Sequence, residues 1–168
     1  MTISTTIELF KEDMKFSAAH FTIFSKTERE NLHGHNYQVY AAITAAVAAQ
    51  GLSFNYQSAK KRLRELCASL DETLLLPSLS AYLTIEEKAE HYEVGFNEET
   101  LFFLKRDATL LPVANITVEA LSAWLLEAFT TGPAGFNEPG ILAIEIKVFS
   151  GPGQSGSSRW ERKPSKQH

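Results

Sequence analysis

At positions 32–37 the chain reads Leu32-His33-Gly34-His35-Asn36-Tyr37, with two histidines that are two residues apart. If this stretch is extended, both imidazoles leave the same face of one strand, because side chains alternate between the two faces. Aromatic and β-branched residues continue the pattern to Ile43, which favours a strand over a helix. The stretch therefore predicts a strand that presents His33 and His35 side by side.

A third histidine, His20, ends another run of residues, Ile7 to His20, that also predicts a strand. If the two strands pair through the loop Phe21 to Leu32, His20 lies beside the other two histidines. Three neutral imidazoles are the ligand set of an open, catalytic zinc site, whose fourth position is left for water or substrate. A lone histidine on a half-buried strand is more often structural, but three of the chain's five histidines fall within sixteen residues here.

Composition and charge bound the class of protein. The 168 residues are enough for one domain with a sizeable core, and 44% hydrophobic with 21% charged residues is typical of a globular protein. The net charge of -4 offers no global attraction for nucleic acid or an anionic membrane. Cys67 is the lone cysteine, so an internal disulfide is excluded and a reducing compartment is expected. The start of the chain lacks a signal-peptide pattern and no apolar run is long enough for a membrane helix, so we expect a cytoplasmic protein.

The remaining pattern predicts an α+β fold, with helices on one side of an antiparallel sheet. Ser58 to Leu70 and Val118 to Phe129 have apolar residues at helical spacing, and Thr117 can cap the second helix. Cys67 lies on the apolar side of the first helix, which favours a buried structural thiol over a reactive one.

The expected strands after the first helix include a β-meander of Leu79 to Ile85, His91 to Phe96 and Thr100 to Lys105. A last strand is expected over Ile141 to Phe149, with an apolar face formed by Leu142, Ile144, Ile146 and Val148. We expect a single domain over residues 1–168, with a mobile tail from residue 159.

Several blocks of the sequence, in the same order, resemble the family of 6-pyruvoyltetrahydropterin synthase and 6-carboxytetrahydropterin synthase. These blocks are Phe16-Ser17-Ala18-Ala19-His20, Leu32-His33-Gly34-His35-Asn36-Tyr37, Leu70-Asp71 with Leu74-Leu75-Leu76-Pro77, Leu111-Pro112-Val113-Ala114-Asn115-Ile116-Thr117-Val118-Glu119, and Pro152-Gly153-Gln154-Ser155. The resemblance implies the tunnelling fold, in which each subunit contributes a four-stranded antiparallel sheet and two helices, and subunits join their sheet edges into a barrel. Homotrimers, usually stacked as hexamers, with active sites between subunits, are then expected.

The resemblance also implies a lyase that acts on the pterin side chain of dihydroneopterin triphosphate or a close relative. His20, His33 and His35 would hold Zn2+, which would bind and polarise oxygens of that side chain as charge develops. A general base must take a proton from the side chain. In the main branches of the family this base is a cysteine just ahead of the His-Gly-His pair, helped by an Asp-His pair further on.

The chain departs from this pattern at the base. Residues 27–31 contain no cysteine, and Asp71 is followed by Glu72 rather than by a histidine. Glu30, three residues before the His-Gly-His pair, resembles a variant branch in which glutamate replaces cysteine and a retro-aldol step on dihydroneopterin yields 6-hydroxymethyldihydropterin for folate. A carboxylate can serve if it reaches the proton and its pKa is suitably raised. The candidate catalytic residues are therefore Glu30 and Asp71, with a solvated loop charge as the alternative for Glu30 and with Glu28 as a weaker substitute.

The expected substrate contacts also differ from the family pattern. The glutamate that commonly holds the pterin ring at the end of the last strand corresponds to Ser150 here, whereas Thr117 and Glu119 are retained and can contribute. The reaction stays open between the aldolase-like cleavage and the 6-carboxytetrahydropterin synthase reaction of queuosine-precursor synthesis. The alternative from another class is a non-catalytic oligomer that binds zinc and pterin after losing its base.

Overall fold

The computed structural model describes residues 3–132, 135–136 and 138–163. The strands are β1 (Ser4–Leu9), β2 (Lys15–His20), β3 (His33–Ala46), β4 (Thr73–Pro77), β5 (Leu83–Glu87), β6 (His91–Phe96), β7 (Glu99–Leu104), β8 (Ala108–Leu111), β9 (Ile141–Gly151) and β10 (Gln154–Glu161). The helices are α1 (Tyr56–Ala68) and α2 (Val118–Thr130), and a single 3-10 turn covers Lys105–Asp107. The described chain therefore has the α+β composition that the sequence predicts.

The long strand β3 organises a seven-stranded sheet of order β10-β9-β3-β2-β4-β8, with β1 also paired to β3. β2 runs antiparallel to the first half of β3 and β1 to its second half. The single strand predicted over Ile7 to His20 is therefore wrong, because the chain turns between β1 and β2, where the N–H of Met14 donates to the carbonyl of Lys11. The sheet is also larger than the four antiparallel strands expected, because β4 and β8 extend it in parallel orientation.

The last predicted strand is present, but one of its residues faces the other way. The register between β3 and β9 shifts at Thr44 and Ala45, where a β-bulge interrupts the alternation. Ile141 and Ala143 are consequently buried, and Leu142 is 40% exposed. The prediction that Leu142 belongs to the apolar face is wrong for this reason.

Strand β10 replaces the beginning of the predicted tail. It extends to Glu161, so residues 159–161 are paired with β9, and residues 164–168 lie outside the described residues. Its Ser- and Gly-rich sequence lacks the alternation by which a strand is recognised. Pairing with β9 and packing against α2 determine its conformation instead.

Both helices pack on one face of the large sheet, as expected. The side chain of Asn55 caps α1 by accepting from the N–H of Gln57, and Thr117 caps α2 by accepting from the N–H of Ala120. Helix residues such as Leu63 and Leu121, together with alternate residues of β3 and β9, form one buried core. No helix in the described ranges is long and apolar enough to span a membrane.

The β-meander forms a separate three-stranded sheet, β5-β6-β7, inserted between β4 and β8. Its first strand begins at Leu83 instead of Leu79. A second, smaller core lies beneath it and includes Phe96 of β6 and Phe21, which directly follows β2. The meander thus packs against the segment that leads away from His20.

Candidate functional site

The pairing of β2 with β3 brings the three candidate metal ligands together. His20 lies opposite His33 in the antiparallel register, and His35 lies opposite Ala18, two residues away on β2. One ring nitrogen from each histidine lies within 4.8 Å of the others. The juxtaposition expected from the sequence is therefore present.

Backbone carbonyls orient two of the three rings. Nδ1 of His20 lies 3.0 Å from the carbonyl oxygen of Ile116, and Nδ1 of His33 lies 2.8 Å from that of Asn31. Because a carbonyl only accepts, each Nδ1 carries the proton and each Nε2 keeps a free lone pair. Nε2 of His20 is buried and has no hydrogen-bond partner among the described residues, which is unfavourable unless it binds a further group.

The donor set fits a zinc ion. Nε2 of His33 and Nε2 of His35 lie 3.1 Å apart, close to the roughly 3.3 Å between two nitrogens that share a tetrahedral zinc. Burial, and after it the neighbouring His33, lower the pKa of His20, so this ring stays neutral, as a ligand must be. Hydrogen bonds from the opposite ring nitrogen to carbonyls are the usual support of metal-binding histidines.

Gly34, between His33 and His35, allows β2 and β3 to approach closely. A Cβ atom at this position would lie 3.2 Å from the carbonyl oxygen of Ala18. A side chain here would move β2, with His20 at its end, away from His33 and His35. The spacing of the strands thus explains the glycine of the His-Gly-His pair.

The three histidines open into a cavity of about 350 Å³. Four further lining residues are ones that the sequence predicts for the site: Glu30, Thr117, Glu119 and Ser150. The other lining residues were not among the predicted site residues: Thr22, Phe24, Tyr37, Val118 and Gln154. Tyr37 could have been identified, because it continues the alternation of His33 and His35 along β3, and Gln154 could have been identified from the block Pro152-Gly153-Gln154-Ser155. Phe24 carries no comparable signal.

Glu30 places its carboxylate beside the histidines. Its Oε2 atom lies 3.9 Å from Nε2 of His33 and accepts a 2.9 Å hydrogen bond from the N–H of Thr22. Burial by itself would raise the pKa of Glu30, but the hydrogen bonds from Thr22, with smaller electrostatic contributions from the neighbouring His33 and His20, outweigh it, and the net pKa is lowered. This is opposite to the raised pKa expected of a carboxylate base, and it keeps the group ionised at neutral pH.

The second candidate catalytic carboxylate, Asp71, does not line this cavity. Its Oδ1 atom accepts a 2.7 Å hydrogen bond from the N–H of Ser17, and it borders a separate depression with Asn36 and Glu72. Within a single chain, Asp71 and Glu30 therefore lie in separate depressions. Glu28 is exposed and also lies outside the lining of the cavity.

The first turn of α2 forms one wall of the cavity, and β10 holds it in place. A Cβ atom on Gly156 of β10 would lie 2.8 Å from the carbonyl carbon of Val118 and 2.9 Å from the nitrogen of Glu119. No side chain fits at that distance from backbone atoms. The close contact fixes the height of Thr117 and Glu119 above the sheet.

In sequence, the chain is similar to tetrahydropterin synthases. The family model described as 6-pyruvoyl tetrahydropterin synthase matches residues 8–158. A protein of Methanocaldococcus jannaschii, provisionally named 6-carboxy-5,6,7,8-tetrahydropterin synthase, is 24% identical over 147 residues, which cover 87% of this chain and 90% of that protein.

In fold, the chain is similar to solved structures of proteins named 6-pyruvoyl tetrahydropterin synthase. The Plasmodium vivax structure has a TM-score of 0.88 at 23% identity and covers 95% of this chain and 99% of its own. The Plasmodium falciparum structure has a TM-score of 0.87 at 24% identity with the same coverage. Two other structures of the P. vivax protein are of variants in which a glutamate, described as a catalytic residue, is replaced by alanine or cysteine. At this identity the structures show a shared fold.

Proposed function

Because the chain belongs to the 6-pyruvoyl tetrahydropterin synthase family, whose members are pterin-processing lyases, we propose that it is a zinc-dependent lyase with Glu30 as general base. Its substrate is dihydroneopterin or dihydroneopterin triphosphate, and its product is 6-hydroxymethyldihydropterin. The observation that carries this proposal is the 3.9 Å between Oε2 of Glu30 and Nε2 of His33, which puts a carboxylate at the edge of the three imidazoles.

The residues of the trio support the zinc requirement. His20, His33 and His35 would hold the ion through Nε2, since carbonyl oxygens engage Nδ1 of the first two rings. Bound there, zinc supplies Lewis-acid polarisation of the side-chain oxygens of the substrate. Glu30 lines the same cavity as the three histidines that would hold the ion.

Glu30 supplies the proton transfer. Its carboxylate takes the proton from the hydroxyl on the second side-chain carbon, and the bond between the first and second carbons breaks. The second carbon leaves as part of an aldehyde, and the electron pair of the broken bond passes into the pterin ring. The first carbon then takes a proton and becomes the hydroxymethyl group. A catalytic glutamate in the P. vivax protein of the same fold supports this role.

Three residues of the cavity would bind the pterin. Thr117 caps α2, Glu119 lies in its first turn, and Ser150 lies near the end of β9. Glu119 offers a carboxylate that can accept from two N–H groups of the guanidine-like edge of the ring. Ser150 offers a neutral acceptor where a glutamate is commonly found. The negative charge that faces the ring edge would therefore come from Glu119 of α2.

The proposed assembly is a homotrimer or a stacked hexamer. β10 and β8 end the large sheet, and joining such edges between subunits would close a barrel. Asp71 could assist Glu30 only from a neighbouring subunit, since it does not line the cavity of its own chain. Native mass spectrometry measures the subunit number, and a monomer would remove Asp71 from the mechanism.

The test is turnover of the zinc-loaded protein with dihydroneopterin and with its triphosphate, with product masses identified. Glu30→Gln keeps an acceptor for the Thr22 N–H but removes the base, so turnover should fall by about 100-fold or more. Glu28→Ala is the matched control, because it removes an exposed carboxylate from the same loop. Equal turnover of Glu30→Gln and the unaltered protein would remove Glu30 from the mechanism.

Two other outcomes have specific support. The M. jannaschii relative favours a 6-carboxytetrahydropterin product, which the same mass measurement distinguishes. The lowered pKa of Glu30 makes it a weaker base and favours a non-catalytic oligomer that binds zinc and pterin. Zinc-dependent pterin binding without any product from either substrate would establish that alternative.

A further inference from the structure

Arg29, the residue before Glu30, connects the loop of the proposed base to the β-meander. Its side chain is 15% exposed, and its guanidinium carbon lies 5.2 Å from the ring centroid of Phe21 and 5.6 Å from that of Phe96. A guanidinium over aromatic rings at this range gains a cation–π attraction. Phe21 follows β2 directly and Phe96 lies in β6, so one side chain contacts both parts of the molecule.

Two hydrogen bonds fix the direction of this guanidinium. Nη1 donates to the backbone carbonyl of Glu30 at 2.9 Å, and Nη2 donates to the carboxylate of Glu99 in β7 at 2.6 Å. Because the guanidinium is planar and rigid, its two donors move together. A movement of Glu99 would therefore also move the backbone carbonyl of Glu30.

Apart from Arg29, the described hydrogen bonds of Glu30 run to a single residue. The N–H of Thr22 donates to the carboxylate, and the N–H of Glu30 donates at 2.8 Å to the carbonyl of Thr22. An isolated bridge between Ile23 and Arg29 joins the two sides of the loop. A reacting carboxylate must be held within about 0.5 Å of its productive position, and Arg29 adds a second attachment, to the β-meander, beside the one that Thr22 provides.

We infer that Arg29 is a positioning residue for Glu30, and that the β-meander, through Phe96 and Glu99, sets where the Glu30 carboxylate lies in the cavity. The inference rests on the proposed role of Glu30 as the base. A purely structural role for Arg29 is the competing explanation. The two are separable, because Glu99 is 58% exposed and an ion pair with so exposed a partner adds little to stability.

The kinetic test uses two variants and one control. Arg29→Met keeps a long apolar side chain but loses the charge and both hydrogen bonds, and we expect kcat to fall by about 30- to 100-fold. Glu99→Ala removes only the acceptor in β7 and should lower kcat by about 3- to 10-fold. Glu98→Ala, the neighbouring exposed carboxylate, should leave kcat unchanged. KM for the pterin and the zinc content should be unchanged in all three, because none of them alters the histidines or the proposed pterin ligands Thr117, Glu119 and Ser150.

A second measurement needs no turnover. In the Glu30→Cys variant, the rate of alkylation of the introduced thiol by iodoacetamide, taken from the plateau of its pH profile where the thiol is fully ionised, reports its position. Cys67 does not interfere because it is 1% exposed. Adding Arg29→Met or Glu99→Ala should change this rate several-fold, whereas adding Glu98→Ala should not. If Arg29→Met fails to fold, Glu99→Ala carries both tests, since it alters an exposed side chain.

The outcomes separate this inference from the proposed function. Unchanged kcat and an unchanged alkylation rate would overturn the positioning role while leaving Glu30 as the base. A fall in thermal stability or zinc content, with kcat per folded zinc-loaded protein unchanged, would assign Arg29 a structural role and also overturn it. If Glu30→Gln retains full turnover, the base is misassigned, and the alkylation rates alone then decide whether Arg29 positions residue 30.

Discussion

His20 and Ile116 are joined by a 3.0 Å hydrogen bond between the imidazole Nδ1 and a backbone carbonyl. Ile116 is in turn held by Asn115, whose side-chain oxygen accepts from the N–H of Ile116 at 3.0 Å. The same amide accepts from the N–H of Ile23 at 3.1 Å and donates to its carbonyl at 2.8 Å. One amide side chain thus fixes the carbonyl that orients a candidate zinc ligand and attaches it to the loop across the site.

Asn115→Ala should therefore weaken zinc binding although it removes no ligand. Loss of the outer hydrogen bonds of a metal site typically lowers affinity by about 10- to 100-fold, and competition with a chromophoric chelator measures this change. Asn55→Ala is a matched control, because it removes the cap of α1 and destabilises the protein without reaching the site. Equal affinity in Asn115→Ala and Asn55→Ala would show that the Ile116 carbonyl keeps its place without the amide.

Glu119→Gln should raise KM for the pterin by about tenfold with little change in kcat. The reason is that the proposed carboxylate would make charge-assisted hydrogen bonds to the ring edge, which an amide with one acceptor oxygen cannot reproduce. Glu127→Gln, an exposed position near the other end of α2, is the control. Thr117→Ala is less informative, since it also removes the cap of the helix. An unaltered KM would move the ring anchor to another wall of the cavity, where Gln154 is the next candidate.

The sequence predicted that His20, His33 and His35 come together, because their placement follows from local geometry. Side chains two residues apart on a strand lie on the same face, as His33 and His35 do. The pairing of β2 with β3 then places His20 beside them. The groups that orient the rings of His20 and His33 could not be predicted, because they are the backbone carbonyls of Ile116 and Asn31. Every residue has a backbone carbonyl, so the sequence does not mark these two. The placement of Asp71 outside the cavity depends on how β4 pairs with β2, which no local pattern specifies.

The errors in the fold have a similar origin. Leu142 has an apolar side chain, and only a bulge opposite Thr44 and Ala45 turns it outward. β10 has no apolar alternation and exists because β9 and α2 provide its partners. In both cases tertiary contacts decided the structure over local preference.

Stability should decrease at alkaline pH because of Cys67. Burial, with smaller contributions from Asp13 and Asp71, raises the pKa of this thiol from 9.0 to about 12. Between these values the unfolded chain loses the thiol proton and the folded chain keeps it. The free energy of unfolding should therefore fall as pH rises above 9.0, by at most about 1.4 kcal/mol per pH unit.

Urea unfolding at about pH 8 and about pH 10 measures this effect. Cys67→Ala is less stable at the lower pH, because it leaves a small cavity, but it should lose less stability on going to the higher pH. Equal losses in the two proteins would mean that other groups, such as Tyr40, whose pKa is raised to about 12 by burial first and then by Glu8, cause the alkaline destabilisation.

Gly156→Ala should raise KM for the pterin without weakening zinc binding. The new methyl group would lie under 3.0 Å from backbone atoms of Val118 and Glu119, so the first turn of α2 must move away from β10. Forcing an extra group into a packed contact typically costs about 1–3 kcal/mol, which chemical denaturation would record. The Asn115 side chain attaches Ile116 to Ile23, so the carbonyl that orients His20 should keep its place and the affinity for zinc should not change. Gly151→Ala is the matched control, since a Cβ atom there meets nothing within 4 Å and the backbone is not left-handed. If Gly156→Ala is destabilised but binds pterin normally, the position of the first turn of α2 does not determine substrate affinity, and Glu119 would lose its main structural support as a pterin ligand.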